Sequence, residues 1–169
     1  MVYIGLGSNL ARPIEQVLLA IEALKQLKDS TVTSVSSLYQ TPPMGPQEQP
    51  PYVNAVLELR TTLRPLALLD DLQTIENLQG RVRDTGHWGA RTLDLDILVY
   101  SGETSSDPVL TLPHPGIALR SFVLYPLHEI APQLKIEGLG KVDQLIERLA
   151  EPCPSIINTK NLEIPPSVC

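Results

Sequence analysis

Leu93-Asp94-Leu95-Asp96-Ile97-Leu98-Val99-Tyr100 decides how this chain is read, because its first five residues alternate apolar and acidic. Side chains on a strand repeat every two residues, so Asp94 and Asp96 project from one face while Leu93, Leu95 and Ile97 fill the other. The stretch Tyr52–Thr61 alternates in the same way. Val53, Ala55, Leu57 and Leu59 share one face, and Tyr52, Asn54, Val56, Glu58 and Arg60 share the other. Two such strands predict a sheet with an apolar face packed on helices and an opposite face carrying Tyr52, Asn54, Asp94 and Asp96.

Outward from these strands the chain alternates element types. Val2–Leu6 reads as a strand ending in the turn-like Gly5-Leu-Gly-Ser-Asn9. Pro13 opens a helix with Ile14, Val17, Leu18, Ile21, Leu24 and Leu27 at helical spacing. Thr31–Gln40 is rich in β-branched residues and predicts a strand, and the five prolines of Thr41–Pro51 predict a stiff exposed loop. Pro65 opens a second helix, with the stripe Leu66, Leu69, Leu72 and Ile75 and a stop at Gly80. After the Leu93–Tyr100 strand come a turn at Gly102–Pro108, the segment Leu110–His114 and a strand-like Phe122–Leu127. A short helix is expected over Val142–Ala150. The order β-α-β-β-α-β predicts an α+β fold of ferredoxin-like kind: an antiparallel sheet with helices on one face and active-site loops on the other. Residues 1–150 read as one domain and 151–169 as an irregular, proline-rich tail.

The totals narrow the function classes. The 169 residues suit one domain by the usual ~100–200 residues. A net charge of −6 argues against non-specific binding to nucleic acid or an anionic membrane surface. No apolar run approaches the ~18 residues of a membrane helix. The two cysteines, Cys153 and Cys169, make neither a disulfide framework nor a zinc site. A cytoplasmic monomer without nucleic-acid or membrane partners is the expectation.

Ahead of the acidic strand, Arg81 to Arg91 puts three of the chain's eight arginines and its only tryptophan into eleven residues. Alternating Leu and Asp alone is also what a half-exposed strand looks like. Beside the arginines it points to phosphate chemistry. Two carboxylates ~6–7 Å apart along a strand repel unless a cation sits between them, and magnesium takes one or two carboxylates plus substrate phosphates. Arginines then clamp the remaining charge. Gly5-Leu-Gly-Ser-Asn9 is not a dinucleotide fingerprint, because its third glycine would fall at Leu10. The chain also has no Gly-Lys-Ser/Thr loop. His114, pinned between Pro113 and Pro115, is aimed rather than flexible.

Five segments resemble the 6-hydroxymethyl-7,8-dihydropterin pyrophosphokinase family of folate synthesis. They are Tyr3–Asn9, Ser37–Gly45, Tyr52–Asn54, Gly80–Leu98 with its Arg-x-x-Asp-x-Asp at Arg91–Asp96, and Pro113–Pro115 with Arg120–Phe122. The resemblance spans about residues 2–132 and implies transfer of pyrophosphate from ATP to the pterin hydroxymethyl group, releasing AMP. It implies that Asp94 and Asp96 hold two Mg2+ ions, with Arg81 and Arg91 joining them in catalysis. Tyr52 and Phe122 would sandwich the pterin, Asn54 would read its edge, and Thr41, Pro42, Met44 and Trp88 would complete that site. Gln73, Glu76, Arg83, Arg91, Ile97, His114 and Arg120 would surround ATP. Arg81, Trp88 and Arg91 would belong to a loop that closes over both substrates. The sequence departs from the family at Ala90, where proline is usual. Gly116–Leu119 departs too, lacking the usual basic and polar side chains. The competing readings are a sheet that binds a nucleotide or single-stranded RNA without catalysis, and a γ-phosphoryl kinase that would release ADP.

Overall fold

The computed structural model describes residues 1–43, 48–80 and 92–159. Strand β1 (Val2–Ser8) pairs antiparallel with β4 (Tyr52–Thr61) on one side and β5 (Asp94–Tyr100) on the other. The outer edge of β4 takes two short strands, β2 (Ser30–Val35) and β3 (Tyr39–Thr41). The single strand expected over Thr31–Gln40 is therefore broken. Ser36 bridges the gap: its N–H donates to the Val56 carbonyl and its Oγ accepts the Val56 N–H, both at 2.9 Å. With β10 (Ser155–Ile156) beside β3, the main sheet runs β10-β3-β4-β1-β5, mostly antiparallel, and the protein is α+β.

Helices α1 (Pro13–Lys25) and α2 (Pro65–Leu78) cover one face. Val53, Ala55, Leu57, Leu59, Leu95 and Ile97 meet them there, as the alternation predicts. Within α2 the buried stripe is Leu68, Leu72 and Ile75, while Leu66 is 58 % exposed. Leu66 is two positions from Leu68, about 200° around the helix, so both cannot face the sheet.

The second face differs from expectation. Phe122–Leu127, expected as a strand, lies in helix α3 (Ser121–Ile130). Its buried Val123, Leu124 and Leu127 follow helical spacing, whereas a strand would split them between two faces. Pro126 forfeits one helical hydrogen bond but could not have joined a central strand either. With α4 (Val142–Arg148), α3 packs on Tyr3, Val56, Leu98 and Val99 and forms a second apolar cluster. Helices therefore cover part of both faces rather than one. A bulge in β5 serves this packing: the β1 register shifts between Tyr3 and Ile4, so Leu98 and Val99 both join the second cluster.

The turn expected at Gly102–Pro108 contains β6 (Ser105–Asp107), which forms a hairpin with β7 (Leu110–Leu112). A smaller hairpin, β8 (Lys135–Ile136) with β9 (Gly140–Lys141), precedes α4. The tail, expected to be irregular, contributes β10 (Ser155–Ile156) to the main sheet. Strand β5 ends the sheet, and its outer edge is closed by α2: Glu76, 2 % exposed, accepts the Leu95 N–H at 2.8 Å. No helix among the described residues is long and apolar enough to cross a membrane.

Candidate active site

The site begins with two residues that have no side chain. In the pairing register Gly5 stands between Val56 and Asp96, and Gly7 between Asn54 and Asp94. Adjacent strands lie ~4.8 Å apart, so the side chains flanking each glycine are separated by about 10 Å of open floor. An alanine Cβ at Gly7 would stand 3.0 Å from the Asn54 Oδ1, and one at Gly5 would meet Leu98 at 3.4 Å. Both glycines lie inside β1, which runs to Ser8, two residues beyond the strand that the sequence suggested.

Above this floor opens a cavity of about 220 Å3. Thr41, Pro42, Tyr52 and Asn54 line it from β3, β4 and the residue after β3, and Phe122 lines it from the first turn of α3. Asp94, Asp96, His114 and Arg120 line it as well. The buried Asn54 amide is oriented by Thr41, its Nδ2 donating to the Thr41 Oγ1 at 2.9 Å. The Arg120 guanidinium lies 5.8 Å from the Phe122 ring centroid and packs against Gly116, where a Cβ would clash at 2.7 Å. The small residue at 116 thus makes the room that the arginine occupies.

His114 is held at both ends. Its N–H donates to the Leu98 carbonyl at 2.8 Å, and its Nδ1 accepts the Gly116 N–H at 3.0 Å. The neutral ring therefore carries its proton on Nε2. Burial first, then the Arg120 charge, push the His114 pKa below the ordinary 6.5, while Asp94 pulls it back up. Between the folded value and 6.5 the unfolded chain binds more protons, so stability is fully present above pH 6.5 and falls as the pH drops through that window. His114→Gln should remove that component. Denaturant titrations between pH 5 and 8 should show a shallower acid-side slope for the variant, and equal slopes would contradict the buried neutral ring.

The cavity thus gathers Thr41, Pro42, Tyr52, Asn54, Asp94, Asp96, His114, Arg120 and Phe122. Gln73, Glu76 and Ile97 do not line it. Ile97, 3 % exposed, is packed among the residues beneath α1 and α2, and Glu76 faces the β5 edge. Met44, Arg81, Arg83, Trp88 and Arg91 lie outside the described residues. Sequence reasoning missed the glycine floor, although Gly5 and Gly7 share the period-two face of Tyr3. It also missed the end of β1. Buried Ser8 donates its Oγ hydrogen to the Thr92 carbonyl, and buried Asn9 donates to the Pro50 carbonyl at 3.1 Å and to Gln49 at 3.3 Å.

The cavity thus sets two aromatic rings and a fixed amide beside paired carboxylates, a surface suited to a flat ring at one end and a cation at the other. Residues 3–132 match the family model of 7,8-dihydro-6-hydroxymethylpterin-pyrophosphokinase. The 2-amino-4-hydroxy-6-hydroxymethyldihydropteridine pyrophosphokinase of Haemophilus influenzae is 48 % identical over 149 residues, covering 88 % of this chain and 92 % of that one. Its Pseudomonas aeruginosa counterpart is 50 % identical over 145 residues, covering 86 % and 89 %. A crystal structure of Plasmodium falciparum HPPK-DHPS with pteroate shares the fold, with a TM-score of 0.68 at 14 % identity over 87 % of this chain. This chain spans 44 % of that longer one. The chain belongs to the 7,8-dihydro-6-hydroxymethylpterin-pyrophosphokinase family. It transfers pyrophosphate from ATP to 6-hydroxymethyl-7,8-dihydropterin and releases AMP, a step of folate biosynthesis.

Proposed function

We propose that the cavity receives the pterin at its aromatic and amide end and the ATP phosphates at its acidic end, with Asp94 and Asp96 between them. The observation that carries this reading is the pair of carboxylates on one face of β5, beside a floor without side chains. Tyr52 and Phe122 stack on the two faces of the flat ring. Asn54, held by Thr41, reads the ring edge together with backbone groups around Thr41, Pro42 and Met44, and Trp88 completes that site. His114 and Arg120 contact ATP, joined by Gln73 and Arg83, while the buried Glu76 and Ile97 side chains fix β5 behind them. Arg81 and Arg91 bring positive charge to the transferred phosphates.

The donor set fits magnesium. Carboxylates are hard oxygen ligands, and among the described residues no third His, Cys, Asp or Glu joins them in a metal-binding group. Phosphate oxygens and water would supply the remaining ligands, as is usual for this ion. Asp94 and Asp96 would hold two such ions, which would neutralise the charge that develops on the phosphates. The chain's own residues position the reaction. The pterin hydroxymethyl oxygen gives up its proton to water and attacks the β-phosphorus, the bond from that phosphorus to the oxygen bridging the α-phosphate breaks, and AMP departs. Stacking and the Asn54 amide fix where the hydroxymethyl group points, which is most of what a phosphoryl-type transfer asks of a protein.

Strand order and antiparallel pairing support a ferredoxin-like arrangement elaborated by α3, α4 and β10. A cytoplasmic monomer that acts on ATP and the pterin, without nucleic-acid or membrane partners, is part of the same proposal. The catalytic unit is assigned to residues 1–150. Chromatography of ATP incubated with 6-hydroxymethyl-7,8-dihydropterin tests the reaction: AMP and the pterin pyrophosphate are expected. ADP would identify a γ-phosphoryl kinase, and no turnover a binding module.

Gly7→Ala tests the floor. Its methyl group would press the Asn54 carboxamide out of place, a crowding that costs about 1–3 kcal/mol at other overpacked sites. Calorimetry should show the loss in pterin affinity. Unchanged affinity would mean that Asn54 does not contact the ring.

A further inference from the structure

The segment after α4 touches both elements that build the pterin end of the cavity. Helix α3 starts at Ser121, between Arg120 and Phe122, and its own N-cap residue, Arg120, makes no side-chain cap. The cap comes instead from thirty residues further along: the Glu151 Oε2 accepts the Ser121 N–H at 3.3 Å. The Glu151 carbonyl also accepts the Tyr125 hydroxyl hydrogen at 3.3 Å. A few residues later β10 pairs antiparallel with β3, Ser155 opposite Gln40 and Ile156 opposite Tyr39, and the Ile157 N–H donates to the Leu38 carbonyl at 2.8 Å. Gln40 immediately precedes Thr41 and Pro42.

Each anchored element is marginal alone. Strand β3 is three residues long, and without β10 one of its edges would lack a partner. The first turn of α3 would leave its leading amides without a side-chain cap. A separate tie already joins the far end of α3 to the same strand region. The Glu129 carboxylate accepts hydrogen bonds from the Ser37 N–H at 3.0 Å, the Ser37 hydroxyl at 2.9 Å and the Tyr39 hydroxyl at 2.6 Å. Glu151 with β10 makes the second tie, at the end of α3 that carries Phe122. The stretch matched by the family model ends at residue 132, well before this segment.

We propose that residues 151–157 form a strap that fixes the spacing between Phe122 on α3 and Thr41–Pro42 after β3, with Glu151 as its positioning residue. The strap rests on the reading of this end of the cavity as the pterin site. It predicts a larger effect on the pterin than on the nucleotide, because two pterin-site segments depend on it, whereas of the groups assigned to ATP and its phosphates only Arg120 adjoins the strapped turn, and Asp94, Asp96 and His114 are held by β5 and its neighbours.

The test compares Glu151→Ala, Glu151→Gln and a chain ending at Ala150 with the full-length protein. Calorimetry measures 6-hydroxymethylpterin binding in saturating α,β-methylene-ATP, and separately the binding of α,β-methylene-ATP alone. Glu151→Ala should weaken pterin binding about three- to tenfold, the range a lost cap spans, and weaken nucleotide binding by a smaller factor, through Arg120 alone. Glu151→Gln should restore pterin binding, since its amide oxygen accepts the same N–H. The shortened chain should lose more than Glu151→Ala. Wild-type affinity in both Glu151→Ala and the shortened chain would overturn the strap. So would equal losses for both ligands in step with a lower Tm, which is what general destabilisation gives. Failure of Glu151→Gln to rescue would overturn the hydrogen-bond role of Glu151. If the full-length protein itself bound no pterin, the reading of the cavity would fall instead.

Discussion

Asp96→Ala should lower pyrophosphate transfer by about 10³-fold or more while the protein remains folded. Asp96 stands opposite Gly5 on the cavity face of β5, so the substitution removes a charge without opening a hole in either apolar cluster. Without metal, Asp94 and Asp96 repel each other along one strand face, and losing one leaves stability unchanged or slightly higher. With ATP and magnesium present the same loss strips an oxygen ligand from the point where phosphate charge gathers. Turnover at saturating magnesium, set beside a melting curve in metal-free buffer, separates the two effects. Near-normal turnover would end the assignment of Asp96 as a metal ligand.

Tyr52→Ala and Phe122→Ala should each weaken pterin binding by about 1–3 kcal/mol, roughly 5- to 150-fold. The two variants should then part company on the nucleotide. Phe122 underlies the Arg120 guanidinium, so its removal also frees a side chain assigned to ATP. Tyr52 lines the cavity from the start of β4, and its loss should leave nucleotide affinity as it was. Titration of α,β-methylene-ATP alone, followed by 6-hydroxymethylpterin, reads both terms. Full pterin affinity in both variants would show that neither ring face is covered by these aromatics.

Period-two alternation made β4 and β5 legible, because one face of each is buried and the other carries chemistry. The carboxylates and Asn54 therefore came out on the expected side. Gly5 and Gly7 were misread because glycine, lacking a side chain, shows neither face of a strand and is the usual mark of a turn. Here its absence of bulk is what opens the cavity. Phe122–Leu127 differs from expectation because six mostly apolar residues with two aromatics and a proline suit either element. The choice fell to tertiary packing, where Val123, Leu124 and Leu127 reach Tyr3, Val56 and Leu98 together only from a helix. Nothing in the spacing of Leu66 to Leu78 indicated that Glu76 would turn inward to meet a strand, or that Glu151 would serve a helix thirty residues behind it.

The Glu76 contact bears on how β5 finds its place during folding. If β5 slid by one residue along β1, Asp94 and Asp96 would be thrust among the leucines beneath α1 and α2, and Leu95 and Ile97 would fill the cavity. The bulge at Leu98 shows that this strand can absorb an extra residue, so the pairing of β1 with β5 alone does not forbid the slip. What forbids it is the cost of burying two carboxylates among leucines, and the Glu76 carboxylate, which accepts the Leu95 N–H in the native register, adds like-charge repulsion to that cost. An acid on a helix at the outer edge of the strand thus helps to set which way the two aspartates point before any substrate arrives.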